Sequence, residues 1–147
     1  MRRSHLVLAA AVLATTAARG SAAQATATVY TPFETAVLCA PPPTLDVPAA
    51  PFHVIGAQDV QGKSEFADRD LIVIDGGTTA GVQLGQQFFV RRANRFGMAN
   101  SAVRRGSRTL GWLRVVAVNN STAVAILDHI CAPMMRNDYL EPFVAPM

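Results

Sequence analysis

Cys39 and Cys131 are the two cysteines of the chain and the residues best suited to covalent chemistry. Each follows an aliphatic residue and opens a Cys-Ala-Pro triplet. One disulfide is the simplest use of two cysteines in an exported chain, with two free, buried thiols as the alternative. A bridge so far apart in sequence is worth about 4–5 kcal/mol in the chain-entropy model. A metal centre of Cys131 with Asp128 or His129 lacks any CxxC or HxxxH spacing, so no metal ligand is assigned. His53, His129, Asp128 and the serines supply the ingredients of a Ser–His–acid set, but there is no G-x-S-x-G elbow. Glu65, Asp68 and Asp70 read as a solvated polar loop sooner than as the paired carboxylates of a glycosidase. Gly62-Lys63-Ser64 fails as a phosphate cradle, because Gly56 stands one position too far upstream and those three acids crowd the phosphate's place. The expectation is a non-enzyme with no catalytic residue, cofactor or metal, with a small envelope hydrolase or ligand-binding protein as the alternative.

The arginines are the second chemical feature. Arg91, Arg92, Arg95, Arg104, Arg105, Arg108 and Arg114 share one stretch that contains no Asp, Glu or Lys. Guanidinium groups favour bidentate contact with carboxylates or phosphates. Gly97, Asn100, Ser101 and Gly106 suggest that the middle of the stretch is a flexible loop, with Phe96 and Met98 as apolar points. A solubilising loop is one account. The other is a docking site, formed by Arg91, Arg92, Arg95, Arg104, Arg105 and Arg108, for an acidic envelope protein or an anionic envelope polymer such as lipopolysaccharide phosphate. Nucleic acid is not an expected partner, since aromatic residues are not interleaved with the charges. Oligomeric state stays open.

Compartment is set by the first twenty-three residues. Met1-Arg2-Arg3-Ser4-His5 is positively charged, residues 6–18 are apolar, and Ser21-Ala22-Ala23 places small residues where a signal peptidase cuts. This reads as a secretory signal peptide over residues 1–23, too short for a spanning helix. Removing Arg2, Arg3 and Arg19 from the 13 basic residues leaves a number equal to the 10 acidic ones, so the overall basic balance belongs to the leader. No later apolar stretch is long enough for a membrane helix, and Ala36-Val37-Leu38-Cys39 does not resemble a lipobox. The expected location is exported: periplasmic, outer-membrane associated or secreted.

Behind the leader, residues 24–51 hold an Ala/Thr stretch and then Pro41, Pro42, Pro43, Pro48 and Pro51. Prolines fix φ and remove donors, which predicts an extended arm with a short strand around residues 28–30. Residues 52–147 read as short strands between turn signals, at 52–56, 71–75, 87–92, 110–118, 122–128 and 139–143. Asn119-Asn120-Ser121 has hairpin length. In residues 110–118 the alternation of Leu113 and Val115 slips to Val116 and Val118, as at a β-bulge. Ala123 and Ala125 are small on one phase of the partner strand, which suits a tightly curled sheet. Gly76, Gly77, Gly81 and Gly85 offer four positions for positive φ, with Val82 and Leu84 set to plug one end. Trp112 is expected in the core or at the barrel mouth. The fold class is all-β: a small, curled, partly open β-barrel of about six short strands behind an extended proline-rich arm.

The order of these signals has a counterpart. Residues 71–77, then Gly81-Val82-Gln83-Leu84-Gly85-Gln86, then 88–90, then Gly111-x-Leu113-x-Val115 and Asn137-Asp138-Tyr139-Leu140, resemble the small C-terminal β-barrel domain of the flagellar assembly protein T family. Similar modules occur in exported bacterial proteins with LysM domains. The resemblance covers residues 55–143 and implies a non-catalytic envelope module. Asn137 stands where that family usually has Gly, the arginine insert over residues 91–108 is longer, and no LysM motif is present.

Overall fold

The computed structural model describes residues 27–42, 47–49, 51–96 and 104–146. The leader expected over residues 1–23 lies outside them, as do Gly97, Met98, Asn100 and Ser101. Among the described residues, eight strands follow one short helix, α1 (Pro32–Leu38). The strands are β1 (Val54–Ala57), β2 (Glu65–Phe66), β3 (Leu71–Ile74), β4 (Gln87–Phe96), β5 (Arg104–Val118), β6 (Ala123–Ile130), β7 (Met134–Met135) and β8 (Tyr139–Pro142). Six make one antiparallel sheet in the order β1-β3-β6-β5-β4-β8, and β2 pairs with β7.

The concave face of this sheet is apolar because the strands alternate in register. Ile72 and Ile74 on β3 lie opposite Ala125 and Ala123 on β6, and all four are fully buried. The two alanines leave room for the isoleucines, so small and large side chains interdigitate across the curl. Leu113 and Val115 continue the face on β5, Phe88 and Val90 on β4, Leu140 on β8 and Val54 on β1. Phe66, Val82 and Met134 close it from outside the sheet.

Curvature is concentrated in β5. Its register shifts against β6 between Trp112 and Leu113 and between Val115 and Ala117, where the phase slip predicted a bulge. A third shift faces β4, between Val90 and Arg91. Each extra residue bends the strand and increases its right-handed twist. Gly111 sits among these bulges with φ +145°, and a Cβ there would lie 2.0 Å from the His129 carbonyl oxygen.

Curling brings the sheet's two edges together at one place. His53 and Tyr139 form an isolated bridge. The Val54 N–H donates to Asp138 O (2.9 Å), the Asn137 N–H to Val54 O (2.8 Å) and the Leu140 N–H to Phe52 O (2.7 Å). The barrel is partly open, since no ladder continues beyond this seam. Asn137 enters it with φ 68°. Asn is among the few residues besides Gly that tolerate this region.

Several expectations need correction. The arm is not uniformly extended. Thr31-Pro32-Phe33-Glu34 is a complete capping box with Pro in the first turn, and it starts α1 before the proline cluster begins. Residues 28–30 form no strand. The loop expected around Gly97, Asn100, Ser101 and Gly106 lies mostly outside the described residues, but Gly106 belongs to β5, and β4 and β5 pair from Gln87 with Arg114 to Phe96 with Arg104. Of the turn glycines, Gly81 and Gly85 have positive φ, but Gly76 and Gly77 do not. Those two are excluded from carrying a Cβ by contact: one would meet the Phe52 ring at 2.8 Å, the other Asn120 O at 2.4 Å. Leu84 is also exposed, so Val82 alone plugs that end.

Gly111→Ala is expected to lower stability by about 3–5 kcal/mol, the range of severe packing and backbone defects. Urea unfolding followed by Trp112 fluorescence checks this; a loss under about 1 kcal/mol would mean that the β5 backbone relaxes easily.

Candidate functional site

Two features occupy the outer face of the β4–β5 pair. The first is the clasp that holds the arm. Cys39 and Cys131 are disulfide-bonded, with Cα atoms 5.6 Å apart and a sequence separation of 92. Cys39 caps the C-terminus of α1, so the bond pins the helix to the turn after β6. Around it Leu38, Phe89 and Trp112 form a second buried apolar cluster, against which Tyr30 and Phe143 pack. Tyr30 meets Trp112 edge-on at 5.7 Å, and Phe89 and Phe143 are 4.7 Å apart. Thr109 Oγ1 donates to Ala40 O at 2.7 Å, a polar tie beside the covalent one.

The second feature is the arginine series, which the structure divides. Arg91 is buried, with its Nη1 donating to Thr109 Oγ1 and its Nε against Glu141 Oε2, out of line for a hydrogen bond. Its guanidinium also lies 4.6 Å from the Phe89 ring centroid, in cation–π range. Arg92 donates from Nε (2.7 Å) and Nη2 (2.8 Å) to the two oxygens of Asp138, which is itself buried. That bidentate contact holds the Arg92 pKa above its ordinary value, against the opposing effect of burial. Arg114 grips Asp128 in the same manner, at 3.2 and 3.1 Å. Arg91 and Arg92 therefore hold the fold and do not belong to a docking surface, which corrects the expectation drawn from their types.

Arg95, Arg104, Arg105 and Arg108 remain. Arg108 is exposed and stands opposite Arg92 in the register. The backbone places Arg95 directly opposite Arg105, and Phe96 opposite Arg104. These positions lie beyond the reach of the neighbouring ladders, since β8 pairs with β4 only over residues 88–91 and β6 pairs with β5 only from Gly111 onward. The outcome is a two-stranded ribbon that holds the other four arginine positions of the series.

The other titratable residues take separate places. His53 Nδ1 lies 3.2 Å from Asp75 Oδ2, and the His53 N–H donates to the same carboxylate. His129 stands within β6, not after it, and stacks on Trp112 at 4.7 Å. The two histidines thus have different partners and do not assemble a Ser–His–acid set. Asp70 accepts from the Ala67 N–H and pairs with Lys63, at 2.7 and 2.6 Å. The Tyr139 hydroxyl is 2.6 Å from Ser107 Oγ. Burial, partly offset by that bond, raises its pKa. Asp138, Glu141 and Tyr139 escaped the sequence reading. A signal was available, as Asp138 directly precedes the last strand and Glu141 lies within it, both beside apolar residues. A groove of about 370 Å³ runs between α1 and the C-terminal segment, lined by Val37, Phe89, Pro142 and Val144. The charges in it, Arg91 and Glu141, neutralise each other. Comparison with family models, with curated proteins and with solved structures finds no match to this chain.

Asp138→Ala should cost about 3–5 kcal/mol, because it leaves the Arg92 charge without its partner and removes acceptors from the seam. Arg92→Leu with Asp138→Ala should recover part of that loss in denaturant titrations; no recovery would show that the pair is incidental. A pH effect is expected at α1. The Thr31 N–H and hydroxyl, bonded to the Glu34 carboxylate, hold its pKa below the ordinary value. A folded pKa below the unfolded one gives stability that is present above the unfolded pKa and lost as pH falls through the folded one. Amide protection in α1 should fall through that acidic window, and Glu34→Gln should flatten the dependence. A profile unchanged by the substitution would rule the capping box out as the cause.

Proposed function

We propose that this protein is a non-catalytic, exported envelope protein, a structural or adaptor module whose β4–β5 ribbon docks an acidic protein or an anionic envelope polymer. The observation that carries this reading is the division of the arginines. Three are neutralised inside the fold by Glu141, Asp138 and Asp128. Four lie on the ribbon, with Arg95 and Arg105 at directly opposed positions. Like charges placed opposite one another across a strand pair destabilise it, so folding alone does not favour the arrangement. An anion lying along the ribbon would turn that repulsion into charge-assisted hydrogen bonding.

Export is supported by the leader motif and by the Cys39–Cys131 disulfide, a bond that persists in oxidising compartments. Among the described residues no helix is long and apolar enough to cross a membrane. The resemblance to the flagellar assembly protein T domain supports an envelope module, and the small curled sheet is consistent with it.

Substituting Arg104, Arg105 and Arg108 together by Gln should release the protein from the envelope fraction on osmotic extraction, while circular dichroism and thermal unfolding stay unchanged. Full retention of the triple variant would overturn the docking role. N-terminal sequencing of the protein recovered from cells should begin after Ala23; an intact leader on a cytosolic protein would overturn export.

A further inference from the structure

The Cys39–Cys131 clasp has a third member. One ligand atom each from Cys39, Cys131 and His129 lie within 4.8 Å of one another, and all three residues are half-buried. We propose that the reduced chain holds one zinc ion between the thiolates of Cys39 and Cys131 and the ring of His129, so that the disulfide is one of two alternative clasps for the arm.

The positions of the three do not depend on the sulfur–sulfur bond alone. The Cys39 N–H donates to Thr35 O at 2.9 Å, and Thr109 holds the next residue through Ala40 O. The Cys131 N–H donates to Leu110 O at 2.8 Å. His129 is fixed by its place in β6 opposite Trp112 and by stacking on that ring. Tyr30, Leu38 and Phe143 keep the arm seated on the same cluster. Breaking the bond therefore leaves two thiols and an imidazole facing one another across a short gap.

The donor set selects the metal. Two thiolates and a neutral imidazole match the borderline-soft, d¹⁰ zinc ion, and the two thiolate charges neutralise it in a half-buried place. Water fills the fourth tetrahedral position. The chemistry balances in two steps. A dithiol reductant supplies two electrons and two protons; the Cys39–Cys131 bond breaks and the reductant becomes a disulfide. Zinc then displaces both thiol protons and forms two Zn–S bonds and one Zn–N bond. Binding accordingly strengthens as pH rises.

The test titrates the full chain with zinc alone, in the oxidised form and after reduction by a phosphine, which reduces disulfides without being a competing dithiol chelator. Near-ultraviolet circular dichroism of Trp112 reports whether the reduced chain stays folded. The expected result is one zinc per reduced chain, none per oxidised chain, and a cobalt-substituted form with a thiolate-to-metal charge-transfer band. His129→Gln, which keeps the disulfide, should bind zinc at least about tenfold more weakly, the minimum seen for disturbing even a ligand's support. Three outcomes would overturn the proposal: a folded, reduced chain that takes up no zinc; equal affinity in His129→Gln; or loss of the Trp112 signal on reduction with no recovery when zinc is added.

Discussion

Asp138 is the group on which the curl of this sheet turns. Its carboxylate accepts both Nε and Nη2 of Arg92 on β4 and also the Met135 N–H. Its carbonyl accepts the Val54 N–H of β1. One nearly inaccessible residue thus connects the fourth strand, the last turn and the first strand, three segments distant in sequence. A buried carboxylate is tolerable only when its oxygens are paired, and here every polar function of Asp138 named above is engaged across the seam. The bulges of β5 supply the bend that makes the meeting possible, and Gly111 supplies the close approach that the bend requires.

The seam also explains the surface chemistry. Because the last strand brings Asp138 and Glu141 beside β4, the two arginines nearest the barrel are neutralised there, and Asp128 does the same for β5. The four other arginines of the series stand at positions where β4 and β5 outrun their neighbours.

Much of this was legible in the chain before any coordinates. A run of β-branched residues ended by two glycines marked β3, the phase slip marked the bulged part of β5, and the small Ala123 and Ala125 marked the concave face. The disulfide followed from parity and compartment and is present. Other parts were hidden for physical reasons. The capping box of α1 is only four residues long and is followed by prolines that argue for extension. The outer half of the hairpin is built from Arg, Asn, Ser and Gly, whose composition resembles a loop, and only strand pairing reveals it. Arg92 looked available for docking because its partner lies 46 residues away. Glycine meaning was ambiguous too: Gly77 and Gly81 read alike in sequence, yet one is required by contact and the other by backbone angle.

The last strand carries one further consequence. The Leu140 N–H points away from β4 towards Phe52 O, so the nitrogen two residues later, on the same side of β8, belongs to Pro142. That nitrogen has no hydrogen. Where the seam ends and a neighbouring molecule would begin to template itself on the uncovered border, the chain withholds the donor that such growth needs. Self-association by edge-to-edge strand addition is thereby discouraged at the point where an incomplete barrel is most vulnerable to it.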